Sequence, residues 1–319
     1  MDSFEKDMKA AIRSNDQGLA AQMALQHLEK TENLPVNIAV TGESGSGKST
    51  LINALRGVDN TDEAAAPTGY VECTKEVNEY PYPEFPNITI SDLPGVGTST
   101  FKASDYLNDV GFAKFDFFII VSNNRFKEND GLLAAEIQKM NKKFYFVRSK
   151  IDDTINAAKR TRKGFEEEKT LKEIKENCIA ELEKIENVKS PKIFLVSSLD
   201  PEKYEFESLF NTIKEELPAE LRETLLHALP NISMNVIKEK KAALEAKIKW
   251  RALASAVVAA VPIPGTSVMV DLAATIAFVK DCQKSLGLTK ESLIRLSIVT
   301  NVSMEDINAE INPHWLESK

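Results

Sequence analysis

Residues 36–50 read Val36-Asn37-Ile38-Ala39-Val40-Thr41-Gly42-Glu43-Ser44-Gly45-Ser46-Gly47-Lys48-Ser49-Thr50. Pro35 breaks any preceding helix, and the apolar run 36–40 is expected as a buried strand. Residues 42–49 fit the pattern GxxxxGK[ST], and a helix is predicted from Lys48 to about Arg56. A strand before and a helix after are the context this pattern requires. The glycines let the backbone turn tightly with its N–H groups inward, and the helix N-terminus adds partial positive charge, so the loop suits phosphates. Its expected binding set is Gly42, Glu43, Ser44, Gly45, Ser46, Gly47, Lys48, Ser49 and Thr50. Lys48 is expected to reach the β and γ phosphates, and the Ser49 hydroxyl to ligate Mg²⁺.

Downstream, a predicted strand at 88–91 runs into Asp92-Leu93-Pro94-Gly95. A carboxylate at a strand end can hold Mg²⁺, usually through water, and the Gly95 amide is placed to sense a γ-phosphate. A phosphate loop alone does not separate ATP from GTP. Ser149-Lys150-Ile151-Asp152 does so, because it follows the strand 144–148 at the carboxyl end, where open α/β sheets bind ligands. The Asp152 carboxylate can accept two hydrogen bonds from guanine N1–H and N2–H₂, whereas adenine has no donor at that N1 edge. The Lys150 stem can lie over the base face. The usual guanine motif has Asn or Thr where this chain has Ser149. Ser197-Ser198 follows the strand at 193–196 and occupies the place of the loop that backs the base with a backbone N–H.

Between these motifs, a threonine is expected to close over Mg²⁺ and the γ-phosphate. Thr68 is the candidate, giving a metal set of Ser49, Thr68 and Asp92. Thr74 is the alternative, but it falls inside the strand predicted at 71–80. The residue after Gly95 is Val96, where Ras-type enzymes carry a water-orienting glutamine. Valine cannot polarise water, so intrinsic hydrolysis is expected to be slow unless a partner supplies a group. Glu72, near the switch segment, is a candidate for that role; its other reading is a solvated strand residue. The catalytic set is therefore Lys48, Thr68, Gly95 and Glu72.

Further strands are expected at 115–122, 144–148 and 193–197, separated by helical patterns at 130–141, 166–186 and 206–216. Alternating strands and helices imply an α/β fold with a mostly parallel sheet. After Pro218 only helical patterns follow, at 219–229, 232–260, 267–285, 290–299 and 303–311. The boundary falls near 217, dividing the chain into a nucleotide-binding domain at 35–217 and a helical domain at 218–319. Residues 1–34 read as helices with no sheet to belong to, and are expected to pack with the helical domain. Residues 252–270 carry no charge, but Pro262-Ile263-Pro264-Gly265 interrupts them. A simple span needs ~20 unbroken apolar residues. The readings left are a buried helix–turn–helix and a membrane-dipping hairpin over 252–279.

The chain has 319 residues, 43% hydrophobic and 28% charged, with a net charge of −8. That balance argues against nonspecific nucleic-acid binding, which needs Lys and Arg to displace phosphate counterions. The basic run at 159–163 is the local exception and reads as a solvated loop. Cys73, Cys178 and Cys282 are scattered and form no disulfide framework, so a reducing compartment is expected. The charged opening 1–12 is no secretory signal, and Asp2 excludes N-myristoylation. A cytoplasmic location, peripheral on intracellular membranes, is the expectation.

The phosphate loop at 42–50, Thr68-Gly69-Tyr70-Val71-Glu72-Cys73-Thr74, Asp92-Leu93-Pro94-Gly95-Val96-Gly97, Tyr106-Leu107, and the stretches 116–120, 144–150, 193–197 and 229–232 together resemble the immunity-related GTPases. These are the interferon-inducible family of dynamin-like GTPases. Gly47 before Lys48 gives the GKS form rather than the GMS form of the regulatory members. The resemblance implies a Ras-like P-loop GTPase domain flanked by an all-α domain built from both termini, with GTP/GDP and Mg²⁺ as cofactors. It further implies homodimer or oligomer contacts through the nucleotide face that promote hydrolysis, with Glu72, Thr68 and Thr74 in the segment meeting nucleotide and partner. It implies action on intracellular membranes in cell-autonomous defence. The alternative is a nucleotide-dependent regulatory or binding module with little hydrolysis.

Overall fold

The structure, a computed structural model, describes residues 34–69, 76–95, 103–123, 126–186, 188, 191–260 and 267–311, together with 10, 11, 13, 14, 19 and 23. The chain divides into two compact units, Pro35–Leu217 and Pro218–Lys319 with Met1–Leu34. The helices expected across 1–34 fall largely outside the described residues.

The first unit is a six-stranded sheet in the order β2-β3-β1-β4-β5-β6. The strands are β1 (Val36–Thr41), β2 (Asn78–Pro81), β3 (Ile88–Asp92), β4 (Phe117–Ser122), β5 (Lys143–Arg148) and β6 (Ile193–Leu195). All pairings are parallel except β2 with β3, so this is the mostly parallel α/β sheet the sequence implies. The helices are α1 (Lys48–Arg56), α2 (Ala103–Asp109), α3 (Glu128–Lys139), α4 (Ile151–Thr161), α5 (Glu167–Glu183) and α6 (Phe206–Glu216).

Register explains why the strands read as unbroken apolar runs. Phe118, Ile120 and Phe146 share one face and pack on Leu133 and Ile137 of α3 and on Leu182 of α5. Phe117, Tyr145 and Phe194 lie on the other, with ring centroids 5.5 Å and 6.4 Å apart. The Tyr145 hydroxyl donates to Glu216 at the end of α6 at 2.8 Å. With helices on both faces, both side-chain sets of β4 and β5 are buried, so no polar alternation survives.

Three expectations need correction. The strand expected at 71–80 is seen only from Asn78; Glu76 and Val77 precede it and 70–75 lie outside the described residues. Among the described residues it pairs on one side only, with the four β3 residues Thr89–Asp92, and Pro81 lacks an N–H for a second neighbour. The strands expected to start at Phe115 and to end at Ser197 are trimmed to β4 and β6, since pairing with β1 and β5 stops there. The basic run at 159–163 is not simply a loop: Lys159 and Arg160 form the exposed last turn of α4, where cations suit the helix dipole.

The second unit contains α7 (Ala219–Ala228), α8 (Met234–Ala260), α9 (Ser267–Ser285), α10 (Lys290–Thr300) and α11 (Met304–Ile311). Arg251 of α8 lies over the Phe278 ring of α9, 4.8 Å from its centroid. Lys240 of α8 is only 1% exposed. Its ammonium donates to Leu229 O at 2.6 Å, Asn231 Oδ1 at 2.8 Å and Ser285 O at 2.6 Å, which uses all three N–H groups. Burial pushes its pKa down to about 7. His227 is buried, with Nδ1 2.8 Å from the Ser285 hydroxyl. The turn at 261–266 is outside the described residues, and among those described no helix is long and apolar enough to cross a membrane.

Candidate functional site

β1 ends at Thr41 and α1 starts at Lys48, so the phosphate-loop motif is the connection between a central strand and its helix. Gly42 has φ +137°, and a Cβ there would sit 2.1 Å from the Val121 carbonyl oxygen of β4. Gly47 caps α1 with φ 93°. Both positions need backbone that L side chains rarely adopt. Lys48 is 7% exposed, and its Nζ donates to Gly42 O at 3.1 Å and Glu43 O at 3.0 Å, which stretches the side chain back across the loop.

The loop forms one wall of a cavity of about 470 Å³. Ser44, Gly45, Gly47, Lys48, Ser49 and Thr50 border it. So do Thr68 and Gly95 on one side, and Lys150, Asp152 and Ser198 on another. Elements from Ser44 to Leu199, near the two ends of the 35–217 unit in sequence, therefore meet around one space. Gly42, Glu43, Ser46, Asp92 and Ser197 do not border it. Glu43 is turned to Lys127 in a surface ion pair. Ser46 is buried and gives its carbonyl to the Ser149 hydroxyl. Ser197 is buried, and its Oγ accepts from the Asp200 N–H at 3.2 Å, a local turn bond rather than a cavity contact. Glu72, Thr74 and Val96 lie outside the described residues.

Asp92 ends β3 under the loop, 1% exposed, and its Oδ2 accepts from the Ser49 hydroxyl at 3.1 Å. A hydroxyl and a carboxylate meeting beside Lys48 form the hard oxygen donor set that Mg²⁺ prefers, so the residues present fit that ion.

Lys150 precedes α4 with φ 52°, an uncommon left-handed conformation outside glycine. That kink sends its side chain over the phosphate loop, where Nζ donates to Gly45 O at 3.1 Å. Asn123 Nδ2 donates to the same oxygen at 3.2 Å. The Ser149 hydroxyl, standing where Asn or Thr is usual, donates to Ser46 O at 2.5 Å. Serine is thus enough to tie the loop after β5 to the glycine-rich loop after β1. Asp152 falls in the first turn of α4 and borders the cavity.

Sequence reasoning missed several contributors. Asn60, Pro67 and Leu199 also border the cavity; Leu199 is 69% exposed despite being apolar. Asn53, buried on α1, binds both halves of Ala66: Oδ1 accepts from its N–H at 2.7 Å and Nδ2 donates to its carbonyl at 3.0 Å. Arg56 Nη1 donates to Ala64 O at 2.8 Å. These anchors deliver Thr68 to the cavity. The available signal was two polar residues on the inward face of α1, where apolar ones are the rule.

Asp130, in the first turn of α3, is 1% exposed behind the loop. Burial pushes its carboxyl up to about 6, and the Glu43 carboxylate adds to the rise. Contacts from Ser122 and Lys127 partly offset this. The folded chain thus holds a proton that the unfolded chain loses nearer pH 4, so this group's stabilising contribution is complete below the ordinary carboxyl range and disappears as pH rises through about 6. Asp130→Asn removes the cost of the buried charge. It is expected to stabilise the chain by about 1–3 kcal/mol at pH 7.5 and by almost nothing near pH 4. Urea midpoints of both proteins at the two pH values check this; the same difference at both would contradict it.

A family model described as Interferon-inducible GTPase (IIGP) matches residues 3–317. The chain is 40% identical over 305 residues to Interferon-inducible GTPase 5 of Rattus norvegicus, covering 95% of this chain and 66% of that protein. It is 40% identical over 300 residues to Interferon-gamma-inducible GTPase 10 of Mus musculus, covering 93% and 70%. The chain therefore spans about two thirds of the length of these relatives. Among solved structures, the LeoA bacterial dynamin GTPase from ETEC aligns with 76% of this chain and 48% of its own, at 19% identity and a TM-score of 0.45.

Proposed function

The chain belongs to the interferon-inducible GTPase family, and from that premise we propose that it binds GTP and GDP with Mg²⁺, hydrolyses GTP, and self-assembles through its nucleotide face in cell-autonomous defence at intracellular membranes. The observation that carries this reading is the single cavity bordered by Lys48, Ser49, Thr68, Gly95 and Asp152. Phosphate chemistry at one end and a guanine-selective carboxylate at the other fit one guanine nucleotide.

In this reading the amides of residues 42–50 and the α1 N-terminus cradle the phosphates, and Lys48 exchanges its carbonyl partners for β and γ oxygens. Ser49, Asp92 and Thr68 would hold Mg²⁺, which would supply positive charge to neutralise the phosphates. Gly95 offers its N–H to the γ-phosphate. Lys150 covers one base face, Leu199 gives an apolar wall, and the Ser198 backbone backs the base. Val96 has no group to orient water, so a second copy is assigned that task, with Glu72 in the segment that meets it. The 35–217 domain then serves as the nucleotide switch. The uncharged stretch within 252–279 is the proposed peripheral contact with membrane.

The test is GTP turnover per molecule against protein concentration, with GTPγS-dependent light scattering alongside. A specific rate that climbs several-fold as scattering rises is the expected result. A flat, slow rate without scattering would overturn assembly-driven hydrolysis and favour a nucleotide-dependent binding module.

A further inference from the structure

Tyr106 of α2 connects the two strand ends that flank the phosphate half of the cavity. Its hydroxyl donates to Pro94 O at 2.8 Å and lies 2.9 Å from Thr41 Oγ1. Pro94 O is a carbonyl and can only accept, so the single phenolic proton goes there and the Thr41 hydroxyl donates to Tyr106. Thr41 is fully buried at the last position of β1, directly before Gly42. Pro94 directly precedes Gly95, which borders the cavity.

The consequence lies in peptide geometry. The Pro94–Gly95 bond is trans, so its C=O and N–H point in opposite directions within one plane. A donor that captures the Pro94 carbonyl from the Tyr106 side therefore turns the Gly95 N–H away from Tyr106. Without that donor the peptide is free to rotate about the flanking φ and ψ, and glycine on one side offers little resistance.

We propose that Tyr106, set by Thr41, is a positioning residue for γ-phosphate recognition, because it fixes the plane of the Pro94–Gly95 peptide and so aims the Gly95 N–H at the cavity. The proposal rests on the nucleotide reading above. It makes Tyr106 a determinant of GTP over GDP rather than of nucleotide affinity in general. Burial raises the phenol's pKa and the Asp92 carboxylate raises it further, against the opposing bond to Thr41, so the donor proton persists at neutral pH.

The experiment compares the full chain with Tyr106→Phe and Thr41→Val, measuring affinity for GDP and for the non-hydrolysable analogue GppNHp in Mg²⁺ buffer by calorimetry. Tyr106→Phe is expected to weaken GppNHp about three- to tenfold, the value of one neutral hydrogen bond, and to leave GDP within about twofold. Thr41→Val keeps the phenol and removes only the bond that sets it, so a smaller shift of the same sign is expected. It also serves if the phenylalanine variant folds poorly, as melting curves will show. Equal weakening of both nucleotides would reveal a merely structural role, and unchanged affinities would show that Gly95 needs no such support; either overturns the proposal. A wild-type chain that binds neither nucleotide would instead sink the nucleotide reading itself, and this inference with it.

Discussion

Asp152→Asn is expected to weaken GDP binding by ~10²–10³-fold while creating affinity for xanthosine diphosphate. Asp152, in the first turn of α4, borders the cavity, and a carboxylate has two acceptor oxygens. Guanine presents two donors on one edge, N1–H and N2–H₂, and each bond to a charged acceptor is worth ~1.5–3 kcal/mol. Asparagine keeps one acceptor and replaces the other with N–H₂, which opposes the guanine amino group. Xanthine carries a carbonyl at that position, so the same asparagine becomes complementary to it. Calorimetric titration of both proteins with both nucleotides reads the result. Unchanged GDP affinity, or no gain for the xanthine nucleotide, would remove Asp152 from base recognition.

Gly42→Ala should be the most damaging single-methyl change in the nucleotide domain. The added carbon meets the Val121 carbonyl oxygen at 2.1 Å, and the obstacle is backbone in a central strand, not a side chain that can swing aside. The φ of +137° adds conformational strain of its own. Overpacking and strain each cost ~1–3 kcal/mol or more, so a loss of about 3–5 kcal/mol is expected, with nucleotide affinity lost as the loop is displaced. Gly45→Ala is the matched comparison. Its φ is +74°, but a Cβ there meets nothing within 4 Å, so only the strain remains, roughly 1–2 kcal/mol. Urea midpoints and GDP affinity for the two variants decide the point. Equal effects would show that the approach of β4 to the loop is not what makes Gly42 necessary.

The parts of the site readable in advance are those whose chemistry is local. A strand, a glycine-rich turn and a helix start occupy consecutive residues at 36–56, so the phosphate loop needs no distant partner to be recognised. β3 and β5 are short apolar runs that end in polar motifs at Asp92 and Ser149, which marks the carboxyl edge of a parallel sheet. The helices missed, α2 and α4, are weakly patterned. Of α4 only Ile151 and Ile155 are buried, so its helical period is carried by two apolar residues and hidden among polar ones. α2 is a seven-residue segment, too short for periodicity to register.

The sequence by itself determined the strand–turn–helix at 36–56, the nearly parallel sheet and the change from α/β to all-helical pattern after Pro218. Each follows from neighbouring residues obeying a short period or a fixed turn. The tertiary structure decided which polar residues cooperate across the chain. It buried Ser197 away from the cavity and left Ser198 bordering it, although the two are adjacent and chemically identical. It bound Ala66 through Asn53, joined Ser149 to Ser46, and linked Tyr106 to Thr41 and Pro94. A hydrogen bond depends on distance and direction within a few tenths of an ångström. Spacing along a chain does not contain that information until packing of the sheet and its helices has fixed where each backbone passes.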